Sequence, residues 1–196
     1  MPRIPLIEKE DASPEVLEFF GRVAGWLKPL PGPRSAQAER RVPQPWRLFA
    51  HSPELARRLF EGSSYIFTEL PWALEHNRVR QLVILTVIRR LNCGFAYDGH
   101  WQTSEKAGIS RALYDQFATV EGLEAAKSCP DLSEEERLAI RYADELTCTG
   151  HVPQSVFDAL LALYGPRGMV EMTAVIGYRM LTSVMLSAFD LQDDKD

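Results

Sequence analysis

Apolar residues recur at helical spacing along most of the chain. Between Pro14 and Leu27 they fall at Val16, Leu17, Phe19, Phe20, Val23, Ala24 and Leu27, with Ser13 placed to cap the helix and Pro14 at its first position. Ser52 and Pro53 open a second helix in the same way, with Leu55, Leu59 and Ile66 opposite Glu54 and Glu61. From Leu82 to Ile88 the run is apolar on every side, a length that suits either a strand or a buried helix. No other segment reads as a partner strand, which favours the helix. Ser133 and Glu136 form a capping box ahead of a helix whose apolar face carries Leu138, Tyr142 and Leu146 and which stops at Gly150. A further helix ends at Gly165 and Pro166, and Met169 to Phe189 is apolar almost throughout. The pattern predicts an all-α bundle of seven or eight helices with buried central helices. It holds more apolar surface than one small bundle can bury, so a homo-oligomer is expected.

Proline divides the chain. Five prolines between Pro29 and Pro45, together with Arg34, Arg40 and Arg41, predict an extended basic arm. Residues 1–47 are therefore read as a first helix with this arm, 48–190 as the helical domain, and 191–196 as an acidic tail. The length of 196 residues, 45% hydrophobic and 25% charged, suits one buried core, and a net charge of -5 without a basic block argues against nucleic acid as a partner. No window looks long and apolar enough to cross a bilayer, and Met1 to Glu10 lacks the core of a signal peptide. Cys93, Cys129 and Cys148 are too few and too widely spaced for a disulfide framework. The expectation is a cytoplasmic protein with no membrane contact.

The chemistry gathers in "RRLNCGFAYDGHW", Arg89 to Trp101. Gly94 is expected to bend the path, and Phe95 to Ala107 to form a short helix closed by "AGIS", where Gly108 turns, Ile109 folds back and Ser110 caps the next helix. If Cys93 to Ser104 is near-continuous helix, then Cys93, Ala96, His100 and Ser104 share one face. Along it His100 can act as general acid or base and Cys93 as a nucleophilic thiol. Tyr97 and Trp101 can wall an apolar pocket, and Arg89 and Arg90 can meet a substrate carboxylate. The plainer reading of each is packing or a solvated surface. Cys148 and His151 lie three apart and Cys93 and His100 seven apart, with no third ligand in pattern, so no metal site is expected.

The stretch "RLNCGFAYDGHWQTSEKAGIS", followed by "ERLAIRYADELTCTGHVPQSVFDAL" and a last apolar helix containing "GYRML", resembles the carboxymuconolactone decarboxylase superfamily, which includes the AhpD-like alkylhydroperoxidases. The likeness runs over residues 48 to 190 in general pattern. It implies an all-α fold assembling as dimers, trimers or hexamers. In the AhpD branch a glutamate, a CxxC pair and a histidine form a proton relay and dithiol couple. Carried over, the first cysteine is Cys93, the histidine is His100, the second cysteine falls on Ala96 and the glutamate on Gln81. Alanine cannot close a disulfide and glutamine cannot exchange a proton.

The resemblance therefore implies a cofactor-independent, decarboxylase-like lyase acting on a small carboxylated lactone or related acid. His100 would be its acid/base, and Cys93, Tyr97, Trp101 and Gln81 would line the pocket. A thiol-dependent hydroperoxidase using Cys93 alone is the second reading. A non-catalytic ligand binder or scaffold is the third.

Overall fold

A computed structural model describes residues 2–27 and 41–191. Most of the Pro-rich arm and of the acidic tail lies outside them. The described residues contain helices and no strand. They form two compact units, Met1–Tyr65 with Phe189–Gln192, and Ile66–Ala188, so the division falls inside a helix.

The first unit is built on α1 (Pro14–Leu27), α2 (Gln44–Phe49) and most of α3 (Pro53–Thr68). Val16, Phe19, Phe20, Val23 and Leu27 form the buried stripe of α1, and the Ser13 hydroxyl accepts from the Val16 amide at 3.3 Å. The core is aromatic. Phe60 meets Phe19, Trp26 and Trp46 edge-on at centroid distances of 6.0, 5.9 and 5.3 Å, geometry that suits the charge distribution of the rings. In α3 the buried face runs through Ala56, Leu59, Phe60 and Ile66. Leu55, expected on it, lies one 100° step away and is exposed.

The second unit holds the remaining helices: α4 (Pro71–Glu75), α5 (Asn77–Arg90), α6 (Gly94–Asp98), α7 (Trp101–Lys106), α8 (Arg111–Gln116), α9 (Val120–Ala126), α10 (Glu134–Thr149) and α11 (Gln154–Ala188). The ambiguous run is α5, buried without interruption from Val79 to Ile88 because α10 and α11 pack along it and α4, α6 and α9 cover the rest. The capping box is present: Ser133 Oγ accepts from the Glu136 amide at 3.1 Å, and Glu136 accepts from the Ser133 amide at 2.8 Å. Gly150 closes α10 with φ 73.

The predicted stop at Gly165 and Pro166 is a break within α11, where Gly165 has φ 64. Contrary to the sequence expectation, α11 is long and apolar enough to cross a membrane by length and composition alone. Packing on α4, α5, α6 and α10 accounts for its buried side. Its other side exposes Val170, Ala174, Gly177, Leu181, Val184 and Ala188, alternating steps of four and three.

Candidate active site

Cys93 is fixed by how α5 ends. Asn92 takes the left-handed conformation, φ 50, which asparagine tolerates better than most residues. The Asn92 amide then donates to Arg89 O and the Cys93 amide to Ile88 O, both at 3.0 Å, a Schellman closure that satisfies two terminal carbonyls. The bend is therefore at Asn92, while Gly94, expected there, is the first residue of α6. The Cys93 carbonyl accepts from the Tyr97 amide at 3.1 Å, and the residue is buried.

The expected single helix from Phe95 to Ala107 is two. The path breaks at Gly99 and His100, and His100 precedes the first residue of α7. The His100 carbonyl accepts from the Ser104 amide at 3.0 Å, Thr103 Oγ1 at 3.0 Å and Ser104 Oγ at 2.9 Å, which anchors the backbone beneath the ring. His100 is half-buried, with Nδ1 inside the protein. The turn after α7 follows expectation: Gly108 has φ 78, the Ile109 amide reaches back to Ser104 O at 3.0 Å, and Ser110 Oγ accepts from the Leu113 amide. Ala96 is buried at the place of the second thiol.

Tyr97 and Trp101 pack on α8. The hydroxyls of Tyr97 and Tyr114 each donate to the other's carbonyl, with rings 4.6 Å apart, and Trp101 meets Tyr114 edge-on at 5.1 Å. Burial pushes the Tyr97 phenol up to about 12. Arg111 lies 4.9 Å over the Trp101 ring.

The two arginines expected to meet a substrate carboxylate are bound into the framework. Arg89 donates to Phe117 O, at the end of α8, at 3.0 Å, and lies 4.9 Å over Tyr97. Arg90 pairs with Asp144 and Glu124, and Lys127 pairs with both carboxylates. Burial alone would raise the Asp144 carboxyl, but hydrogen bonds from Arg90 and Lys127 outweigh it and hold the group below its usual value. Cys148 Sγ lies 3.9 Å from Asp144, and burial pushes that thiol up.

Gln81 lies midway along α5, fully buried, and neither amide atom bonds a described residue. The residue that pattern reading missed is Arg179 of α11. Its Nε is buried and unbonded, and the ionisable groups acting on it among the described residues are Tyr178 and Cys93. Burial pulls its guanidinium down to about 10. The signal was present in the sequence, since Arg179 is the one cation between Gly168 and Phe189. The helices that carry Gln81, the Cys93 turn and Arg179, namely α5, α6 and α11, pack on one another. Among the described residues no group of three or more His, Cys, Asp or Glu is placed to hold a metal ion.

This arrangement is AhpD-like in fold. No family model matches the chain. A solved structure of an uncharacterized peroxidase-related protein from Silicibacter sp. TM1040 superposes with a TM-score of 0.73 at 13% identity, covering 99% of this chain and 92% of that one. A protein of unknown function from Agrobacterium tumefaciens, a candidate antioxidant defence protein AhpD, superposes with a TM-score of 0.63 at 20% identity, covering 76% and 96%. The uncharacterized protein YnjA of Escherichia coli K12 is 32% identical over 117 residues, 58% of this chain and 59% of its own length. The chain thus has the helical fold of the AhpD-like, peroxidase-related proteins, in agreement with the superfamily resemblance of its central motif.

Proposed function

We propose that the chain is a cofactor-independent, decarboxylase-like enzyme acting on a small carboxylated lactone or related organic acid, with His100 as general acid/base. The observation that carries this reading is Ala96, a buried methyl group at the position that the resemblance gives to a second thiol, four residues before a half-buried His100. Such a turn can move a proton but cannot close a disulfide. Loss of carbon dioxide leaves an electron pair on carbon, and the imidazolium delivers the proton that quenches it. The test is a panel of carboxylated lactones assayed with wild type and His100→Gln. Turnover by wild type that falls by about 10²- to 10⁴-fold in the variant supports the reading. A folded His100→Gln protein with full activity ends it.

A second reading is favoured by the peroxidase-related name of a fold neighbour. The Cys93 thiolate would attack a hydroperoxide, releasing the alcohol and leaving a sulfenic acid. Two equivalents of an external thiol would return the thiol and yield water and a disulfide. Hydroperoxide consumption with dithiothreitol that persists in Cys93→Ser excludes it.

We also place the protein in the cytoplasm as a homo-oligomer, with a second copy seated on the Val170–Val184 stripe, whose four-three alternation is the spacing by which like helices interlock. Light scattering should show Leu181→Glu reducing the assembly to a smaller species, and an unchanged mass would remove the stripe from the interface.

A further inference from the structure

The second unit holds a cavity of about 220 Å³, walled by the starts of α5 and α10 rather than by the Cys93–His100 turn. His76, between α4 and α5, lies in its wall, and so does Glu135 in the first turn of α10. Glu135 Oε1 is 3.2 Å from His76 Nδ1, within the reach of a ring N–H, and accepts from the Tyr164 hydroxyl of α11 at 2.8 Å. Burial and this contact hold the Tyr164 phenol well above its usual value, so it stays a donor. The imidazole is also fixed in orientation. Trp72 stacks on it at 5.9 Å with 27° between the ring planes, and Tyr164 meets it edge-on at 4.8 Å.

A carboxylate at Nδ1 selects the tautomer that leaves Nε2 as the acceptor, and Nε2 bonds no described residue. A histidine is prepared as a base in this way: packing sets the ring, a carboxylate sets the tautomer, and a third group holds the carboxylate. The same cavity is bounded by Asn77, Arg78 and Val79, the first residues of α5. Their amides begin a helix with no side-chain cap and reach no acceptor among the described residues, whereas Ser133 and Glu136 cap the start of α10. Free amides at a helix start favour negative charge that develops on an oxygen. Glu75 and Glu136 border the cavity too, and Arg78 Nε donates to Glu136 at 2.5 Å. Three carboxylates against one guanidinium keep the resting space acidic, so it admits a neutral molecule more readily than an anion. Its volume is below the roughly 300–1,000 Å³ of pockets for drug-sized ligands, which restricts the molecule to a small one.

We propose that His76 is the general base of a second catalytic centre, which hydrolyses a small uncharged ester, with Glu135 and Tyr164 as positioning residues. Nε2 takes a proton from water as the water oxygen bonds to the ester carbonyl carbon. The carbonyl oxygen becomes an oxyanion, which the amides at the start of α5 stabilise. The bond from that carbon to the alkoxy oxygen then breaks, Nε2 returns the proton to the leaving oxygen, and an acid and an alcohol result. Water is the nucleophile because Ser133 Oγ, on the same cavity, is engaged as the cap of α10 at 3.1 Å from the Glu136 amide. This centre is independent of the Cys93–His100 turn and of the reaction proposed for it.

The test is hydrolysis of 4-nitrophenyl acetate by the full chain, followed as release of 4-nitrophenolate. Wild type should exceed the buffer rate. His76→Ala should lower kcat/KM by about 100-fold, the low end of what a general base provides, and added imidazole should return part of the rate. Exchange of the exposed histidines, His51→Gln and His151→Gln, should leave the rate unchanged. Glu135→Gln keeps the size of the side chain and removes its charge, and should lower kcat by about tenfold at unchanged KM, with Glu135→Asp keeping part of the rate. Should His76→Ala not fold, the Glu135 variants carry the test, since a merely structural carboxylate would change stability and leave kcat in the folded protein as it was. Wild-type hydrolysis no faster than buffer overturns the proposal. So does a rate that survives His76→Ala, or a kcat that Glu135→Gln leaves unchanged. The anionic ester 4-nitrophenyl succinate should be a poorer substrate than the acetate, and an equal or higher kcat/KM for it overturns the assignment to uncharged esters.

Discussion

Arg90 and Arg179 belong to the same helical unit, and the difference between their surroundings separates structure from chemistry. Arg90 ends α5 against Asp144 of α10 and Glu124 of α9, with Lys127 completing the network, so two cations and two carboxylates balance. Arg179 sits in an apolar stretch of α11 with an unbonded Nε, four residues before Ser183, whose hydroxyl is also unbonded. A satisfied network fixes helices in place. An unsatisfied one lowers stability and is kept where a ligand completes it. The comparison predicts that the two regions respond to substitution with opposite signs.

The largest effect should come from Asp144, whose side chain is only 5% exposed. Asp144→Ala leaves two half-buried cations with Glu124 alone between them and should cost roughly 2–3 kcal/mol, read as a lower midpoint in urea at unchanged slope. The same network sets a pH dependence. Asp144 titrates below its usual value of 3.8 in the folded chain, so its contribution is fully present above about pH 5, and is lost as pH falls through the depressed folded value. Wild type should therefore lose more stability on acidification from pH 5 than Asp144→Asn. Equal losses would show that the network contributes nothing through this carboxylate.

Arg179 should behave in the other direction. Arg179→Met keeps an unbranched apolar stem and removes the uncompensated charge, and should stabilise the fold by roughly 1–4 kcal/mol. A stability loss comparable to that of Asp144→Ala would mean that Arg179 holds the fold together, and would erase the contrast between the two regions.

How much of this was legible in the sequence follows the same division. The helix ends were, because Ser133 with Glu136, Gly108 with Ile109, and Gly150 act through local hydrogen bonds that three or four residues specify. The turn at Asn92 was read two residues too late, at Gly94, because glycine is the commoner left-handed residue and asparagine gives a weaker signal. Cys93 and His100 were singled out from their spacing and from the superfamily resemblance of the stretch that holds them. The partners of Arg89 and Arg90 were not, since Phe117, Glu124 and Asp144 lie between 28 and 54 residues away and local pattern carries no information about them. Arg179 was hidden for the opposite reason: a cation in an apolar helix reads as an interruption of the core until its neighbours are known.

Gln81 gives the smallest effect and the sharpest reading of the contrast. It is wholly buried on α5, and neither end of its amide is bonded within the described residues. If Gln81 is a leftover of a relay that once held glutamate, Gln81→Met replaces an unsatisfied amide by a group of similar volume and should stabilise the chain by roughly 1 kcal/mol at no cost to turnover. If the amide contacts substrate, the same variant should raise stability and raise KM while leaving the folded mass unchanged. The two outcomes differ only in the kinetics. Measuring them together with Arg179→Met therefore tells whether the unsatisfied polar groups of α5 and α11 serve one ligand. Changes in KM that are less than additive in the double variant mark a shared contact, and additive changes mark independent ones.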